Sequence, residues 1–179
     1  IAEERRAGTE EVLLTAPVRE WHVVVGKFAG TFLFWLLMWC LALAPLHFLG
    51  QIGALDPGQV LSSLFGMAVI GFGLLGLGVF GSAITRNQLA AAVITFLGML
   101  LFTFQSFVSL PDAGGDWGWL RTTALYLDLR VHLAWVARGT IDSRTLFLFL
   151  SLGIFMLFLS VRALETRRWA GFSLRSKLT

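Results

Sequence analysis

Residues 60–84 read VLSSLFGMAVIGFGLLGLGVFGSAI, a run without a Lys, Arg, Asp or Glu. The run is far longer than a strand, and its apolar residues do not alternate with polar ones, which argues against a β-barrel. A helix of this length, rising about 1.5 Å per residue, crosses a hydrocarbon core of about 30 Å. Stretches 24–49, 89–110 and 145–161 have the same character, and across all four the one charged residue is Lys27, at the very start of the first. The expected fold is an all-α, polytopic membrane helical bundle with four transmembrane helices. A bundle with no carboxylate at mid-depth has no obvious proton or sodium relay, so driven work would need another energy source.

Composition points the same way. The chain has 179 residues, of which 56% are hydrophobic and 14% charged, and its mean hydropathy is +0.77. A soluble domain of this size carries far more polar surface. The net charge is +3. The basic residues flank the spans and form no separate domain, which suits anionic lipid headgroups and not nucleic acid. Cys40 is the single cysteine, so no internal disulfide is available. The first twenty residues are charged and polar, unlike a leader, and the start at Ile1 is read as internal to a longer natural chain.

The charges set an orientation. Arg5, Arg6, Arg19, Lys27, Arg86, Arg162, Arg167, Arg168, Arg175 and Lys177 fall on one side of the spans; Arg121, Arg130, Arg138 and Arg144 fall on the other. By the positive-inside rule both termini and the 85–88 turn are cytoplasmic. The expected location is the inner (plasma) membrane.

Residues 1–22 form a cytoplasmic segment. Thr9 suits a helix N-cap, with Glu10 and Glu11 in the first turn, where the helix dipole favours carboxylates, and Pro17 stops that helix or starts the next. Two readings stay open from the residues alone: an interfacial helix resting on lipid, or a docking element for a cytoplasmic partner. The transmembrane domain is read as 23–162, with a re-entrant or interfacial outside segment over 111–144 and a basic cytoplasmic tail over 163–179. In the second span Gly71 and Gly78 lie seven apart on one face, and Ser82 extends it by a turn. That face is read as tight helix packing, compatible with a helix that slides or lines a pathway. Residues 125–135 alternate in a strand-like way, but a lone strand at a membrane face leaves its edges unpaired, so short half-buried helices are expected. Gly139 reads as a helix stop, and Asp142 or Ser143 as the cap of the last span.

Chemistry-bearing motifs are missing. His22, His47 and His132 lie on different segments and on both sides of the membrane, so they do not assemble a metal site with Cys40. The glycines of 66–81 sit inside a span and are not followed by the Lys-Ser/Thr of a phosphate loop. Ser82 after Gly81 faintly suggests an intramembrane serine nucleophile, but only His22 shares its side.

The stretch Glu3-Glu4-Arg5-Arg6-Ala7-Gly8-Thr9-Glu10-Glu11-Val12-Leu13-Leu14-Thr15-Ala16-Pro17-Val18, followed by Gly26-Lys27-Phe28, resembles permeases of the type 2 ABC transporter family. His132, Gly139 and Asp142, with Leu164-Glu165 and Arg168-Trp169, are similar to the branch tied to gliding motility and copper-site maturation, although Leu133 stands where that branch often has an aromatic residue. The resemblance implies a six-span fold of which this chain holds spans three to six, the first two preceding Ile1. It implies a coupling helix in 3–20 that docks a separate ABC ATPase subunit through Glu4, Gly8, Thr9, Glu10, Glu11, Leu13, Leu14 and Pro17. It also implies a second permease subunit, the same or a homologue, and no cofactor or catalysis on this chain, since ATP would be bound by the partner. The function implied is the membrane subunit of an ATP-driven exporter. The rival from another class is a non-transporting membrane scaffold that recruits a cytoplasmic protein, and a co-purifying ATPase would separate the two.

Overall fold

The computed structural model describes residues 19–53, 56–85, 87–108, 122–123 and 126–175. Five helices carry them: α1 Glu20–Ile52, α2 Pro57–Ile84, α3 Gln88–Val108, α4 Leu129–Ala137 and α5 Ser143–Arg175. No strand occurs among the described residues. Three helical stretches are long and apolar enough to cross a membrane: Glu20–Pro45, Pro57–Ile84 and Ser143–Thr166, with Gln88–Thr103 a shorter apolar helix between them. The all-α membrane bundle expected from the sequence is the observed fold.

Local chemistry sets the helix ends. Asp56 caps α2: its Oδ1 accepts from Gly58 N at 2.9 Å, and Pro57 occupies the first turn, where its missing N–H costs nothing. The turn into α3 is short, and Asn87 Oδ1 accepts from Leu89 N at 3.2 Å. Asp142 Oδ1 accepts from Arg144 N at 3.0 Å and so caps α5. Gly139 closes α4 at φ 71°, a left-handed geometry that a side chain would strain. α1 runs through Pro45 without ending. α5 continues past the expected span end at Val161 to Arg175, so most of the basic tail prolongs the helix; Arg162 Nη1 donates to Glu165 Oε2 at 2.8 Å along that extension.

α2 is the central element, packing most extensively on α5 and also on α1, α3 and α4. The core cluster joins Val69 and Ile70 of α2, Val136 of α4 and Phe149 of α5, which is fully buried. Outward faces stay apolar, with Leu33, Leu41, Leu61, Leu97, Phe147 and Ile154 all more than half exposed. In water such a surface would aggregate; in a membrane it is the lipid-facing surface.

Candidate functional site

α2 and α5 approach each other backbone to backbone. A Cβ placed on Gly73 would lie 2.8 Å from Phe149 O, one on Gly76 would lie 3.0 Å from Gly153 Cα, and one on Gly153 would lie 2.5 Å from the Phe72 ring. Small residues at these positions allow the helices to interlock, and close packing with little area per residue is what holds helices together in lipid.

The predicted packing residues are placed as follows. Gly71 lies under Trp35 of α1, where a Cβ would come within 2.6 Å of the ring. Gly78 faces Thr95 of α3, and a Cβ there would make an ordinary contact at 3.7 Å. Ser82 is half-buried near the C-terminal end of α2. The shared face thus meets two different helices, and close approaches like that at Gly71 also occur at Gly66, Gly73, Gly76 and Gly81, which the period-seven pattern did not select. The signal that would have found Gly76 is Gly153, a glycine on a distant helix.

A polar latch closes the N-terminal end of the α2–α5 pair. The turn after α4 folds back on its last carbonyls, Gly139 N donating to Val136 O at 2.9 Å, and side chains of α2 supply further donors to that end. Ser63 Oγ donates to Val136 O at 2.8 Å and Gln59 Nε2 to Ala137 O at 3.4 Å. Trp135 O accepts from the Thr140 hydroxyl at 2.8 Å. Val136 packs its side chain over Gly66, and Gly139 sits on Gln59. On the other side, His132 reaches α5. Tyr126 O can only accept, so His132 Nε2 donates to it at 2.8 Å, while Nδ1 meets the Thr145 hydroxyl at 2.7 Å. The ring also stands edge-on to Phe149, centroids 5.5 Å apart. Asp128 caps α4 through Arg130 N at 2.9 Å. Asp128, His132 and Val136, spaced four apart, are the buried face of α4.

Sequence reasoning set His132 aside because the three histidines are scattered. Its partners Tyr126 and Thr145 were not visible as partners, although the four-residue spacing of Asp128, His132 and Val136 was. Among the described residues no group of three His, Cys, Asp or Glu side chains gathers to hold a metal. The predicted docking residues Glu4, Gly8, Thr9, Glu10, Glu11, Leu13, Leu14 and Pro17 lie outside the described residues, as does the predicted turn at 111–115.

A protein-family model described as an ABC-2 family transporter protein matches residues 1–128, a range that takes in residues 3–18 and α1, α2 and α3. Searches of curated proteins and of solved structures find no match. The matched range covers well over half of the 179 residues and agrees with the multi-pass apolar helices, and the chain belongs to the ABC-2 family of transporter proteins.

Proposed function

We propose that this chain is the permease subunit of an ATP-driven ABC exporter, coupling hydrolysis on a separate ATPase subunit to substrate movement across the plasma membrane. The family match carries the reading, because it includes residues 3–18, where the docking motif lies. The apolar helices support it: α2 and α3 contain no Lys, Arg, Asp or Glu, and ATP hydrolysed outside the bilayer supplies the work that an ion relay would otherwise do. Both termini would be cytoplasmic, a second permease subunit would complete the pathway, and ATP would bind only the partner.

In this reading Leu13 and Leu14 fill a groove on the ATPase, and Glu10 and Glu11 fix the register. Leu13→Asp would bury an unpaired charge in that groove, costing about 2–5 kcal/mol, or roughly thirty-fold or more in affinity. The test compares ATPase co-purification with the variant and with the parent, at equal membrane expression. Loss of the ATPase from a well-inserted variant is expected. Full retention of binding and hydrolysis would reduce residues 9–17 to a lipid-surface helix and remove the coupling argument.

A further inference from the structure

We infer that the outward face of α4 is a binding surface for anionic phospholipid: Val131, Ala134 and Trp135 enter the acyl boundary, and Arg138 and Arg144 hold lipid phosphates. The inference rests on the membrane bundle alone and is independent of the exporter reading.

α4 is built inside out. Its inward face carries Asp128 and His132, both buried, together with Val136. Its outward face, at the spacing that puts residues on one side of a helix, carries Val131, Ala134, Trp135 and Arg138, all exposed. In water a short helix turns its apolar residues inward and its polar ones out. The reverse arrangement suits a helix whose outward face meets lipid.

The attachments of α4 fix its depth. It is held by Gln59 and Ser63 of α2 and by Thr145 and Phe149 of α5. Those residues lie two and six positions past Pro57 and Ser143, the first residues of the two helices, or about 3–9 Å along each axis. Amphipathic helices rest about 5–10 Å into the boundary between headgroups and acyl chains. Leu61 and Phe147, which fall between the attachment residues of each helix, are exposed apolar side chains. The lipid-facing surface therefore reaches the level of α4, and a water-soluble protein would have to displace acyl chains to cover that face.

Charge selects the lipid. Asp56, Asp128 and Asp142 each accept from a backbone N–H at a helix start, where they offset the positive end of a helix dipole. Arg130 stays beside Asp128 at 3.7 Å. Arg138 and Arg144 are exposed and form no ion pair among the described residues. The Arg138 guanidinium lies over the Trp135 ring, 5.9 Å from its centroid, a stacking that leaves its N–H edge free for a two-pronged bond to phosphate. Tryptophan favours the membrane interface, and a phospholipid presents acyl chain to the ring and phosphate to the arginine at once.

The test uses the full chain in nanodiscs, in a Cys40→Ala background, with a bimane fluorophore on Ala134→Cys and, as a control, on Leu97→Cys in the middle of α3. Brominated acyl chains quench a fluorophore that they touch. Brominated phosphatidylglycerol and brominated phosphatidylcholine are compared at one mole fraction in a phosphatidylcholine host. Bimane at 134 is expected to be quenched by both, with a preference for phosphatidylglycerol of about fivefold or more, the effect of one arginine near an anionic surface. Bimane at 97 should show no preference. Arg138→Gln with Arg144→Gln should remove the preference, leave quenching by phosphatidylcholine intact and leave the SDS-unfolding midpoint unchanged, while Arg138→Lys with Arg144→Lys should keep most of the preference. No quenching at 134 would place that face in water or against a protein partner and would overturn the inference. Equal quenching by the two lipids, the same preference at 97, or a preference that survives the double glutamine variant would overturn it too.

Discussion

The α2–α5 contact can be tested by two substitutions that differ only in what the new methyl group meets. Gly73→Ala and Gly78→Ala both lie in the interior of α2, so both gain the same helix propensity, about 1 kcal/mol over glycine. The gain cancels in a comparison of the two variants. At Gly78 the added Cβ meets Thr95 Cγ2 at 3.7 Å, an ordinary contact. At Gly73 it meets Phe149 O at 2.8 Å and the Phe149 ring at 2.9 Å, about 0.5–1 Å inside normal van der Waals separation. The carbonyl belongs to the α5 backbone and the ring is fully buried, so neither can swing aside. Overpacking of this kind costs about 1–3 kcal/mol, which makes Gly73→Ala about 5- to 150-fold less stable in folding equilibrium than Gly78→Ala. The assay is SDS titration in mixed micelles, followed by circular dichroism, with the parent and both variants side by side. Equal midpoints, or greater resistance for Gly73→Ala, would refute the backbone-to-backbone packing of α2 and α5.

Other outcomes follow from the latch and the orientation. His132→Leu strands the Tyr126 carbonyl and should destabilise the fold by about 1–3 kcal/mol, while His132→Gln, which keeps a donor, should recover part of that loss in the same titration. Asp128→Ala removes the α4 cap and should cost about 1 kcal/mol, read as faster proteolysis or amide exchange in 129–137 with little change in α2. In a Cys40→Ala background, cysteine at Asp56 should react with an impermeant thiol reagent from outside the cell and cysteine at Asn87 should not; labelling of Asn87 from outside would reverse the charge-derived orientation.

The membrane class, the start of α5 and the α4 helix with its stop were legible because each rests on near neighbours in the chain. Asp142 announces a helix start within two residues, Gly139 announces a stop, and the unpaired edges of a lone strand ruled one out at 125–135, whereas the cap at Asp56-Pro57 went unread. The tight face of α2 was only half legible. Spacing of seven picked Gly71, which is tightly covered, and Gly78, which is not, while the close approaches at Gly66, Gly73 and Gly76 depend on Val136, Phe149 and Gly153, all more than sixty positions along the chain. The latch was legible only as its separate parts. Nothing local to Ser63 shows that the end of another helix lies within its reach, and nothing local to His132 shows that Thr145 stands beside it. Contacts made by side chains with remote backbone leave no periodic trace in a sequence.

The lengths of the first two helices have a consequence for the surrounding bilayer. α1 has 33 residues and α2 has 28. At 1.5 Å per residue these are about 50 and 42 Å, against a hydrocarbon core of about 30 Å. Both exceed that core, so they tilt or carry their ends into the headgroups, α1 the more so. Thin, short-chain lipids lay them further over; thick, sterol-rich or long-chain lipids let them stand more upright. Membrane thickness thereby acts as a mechanical load on this protein, applied unevenly around its circumference.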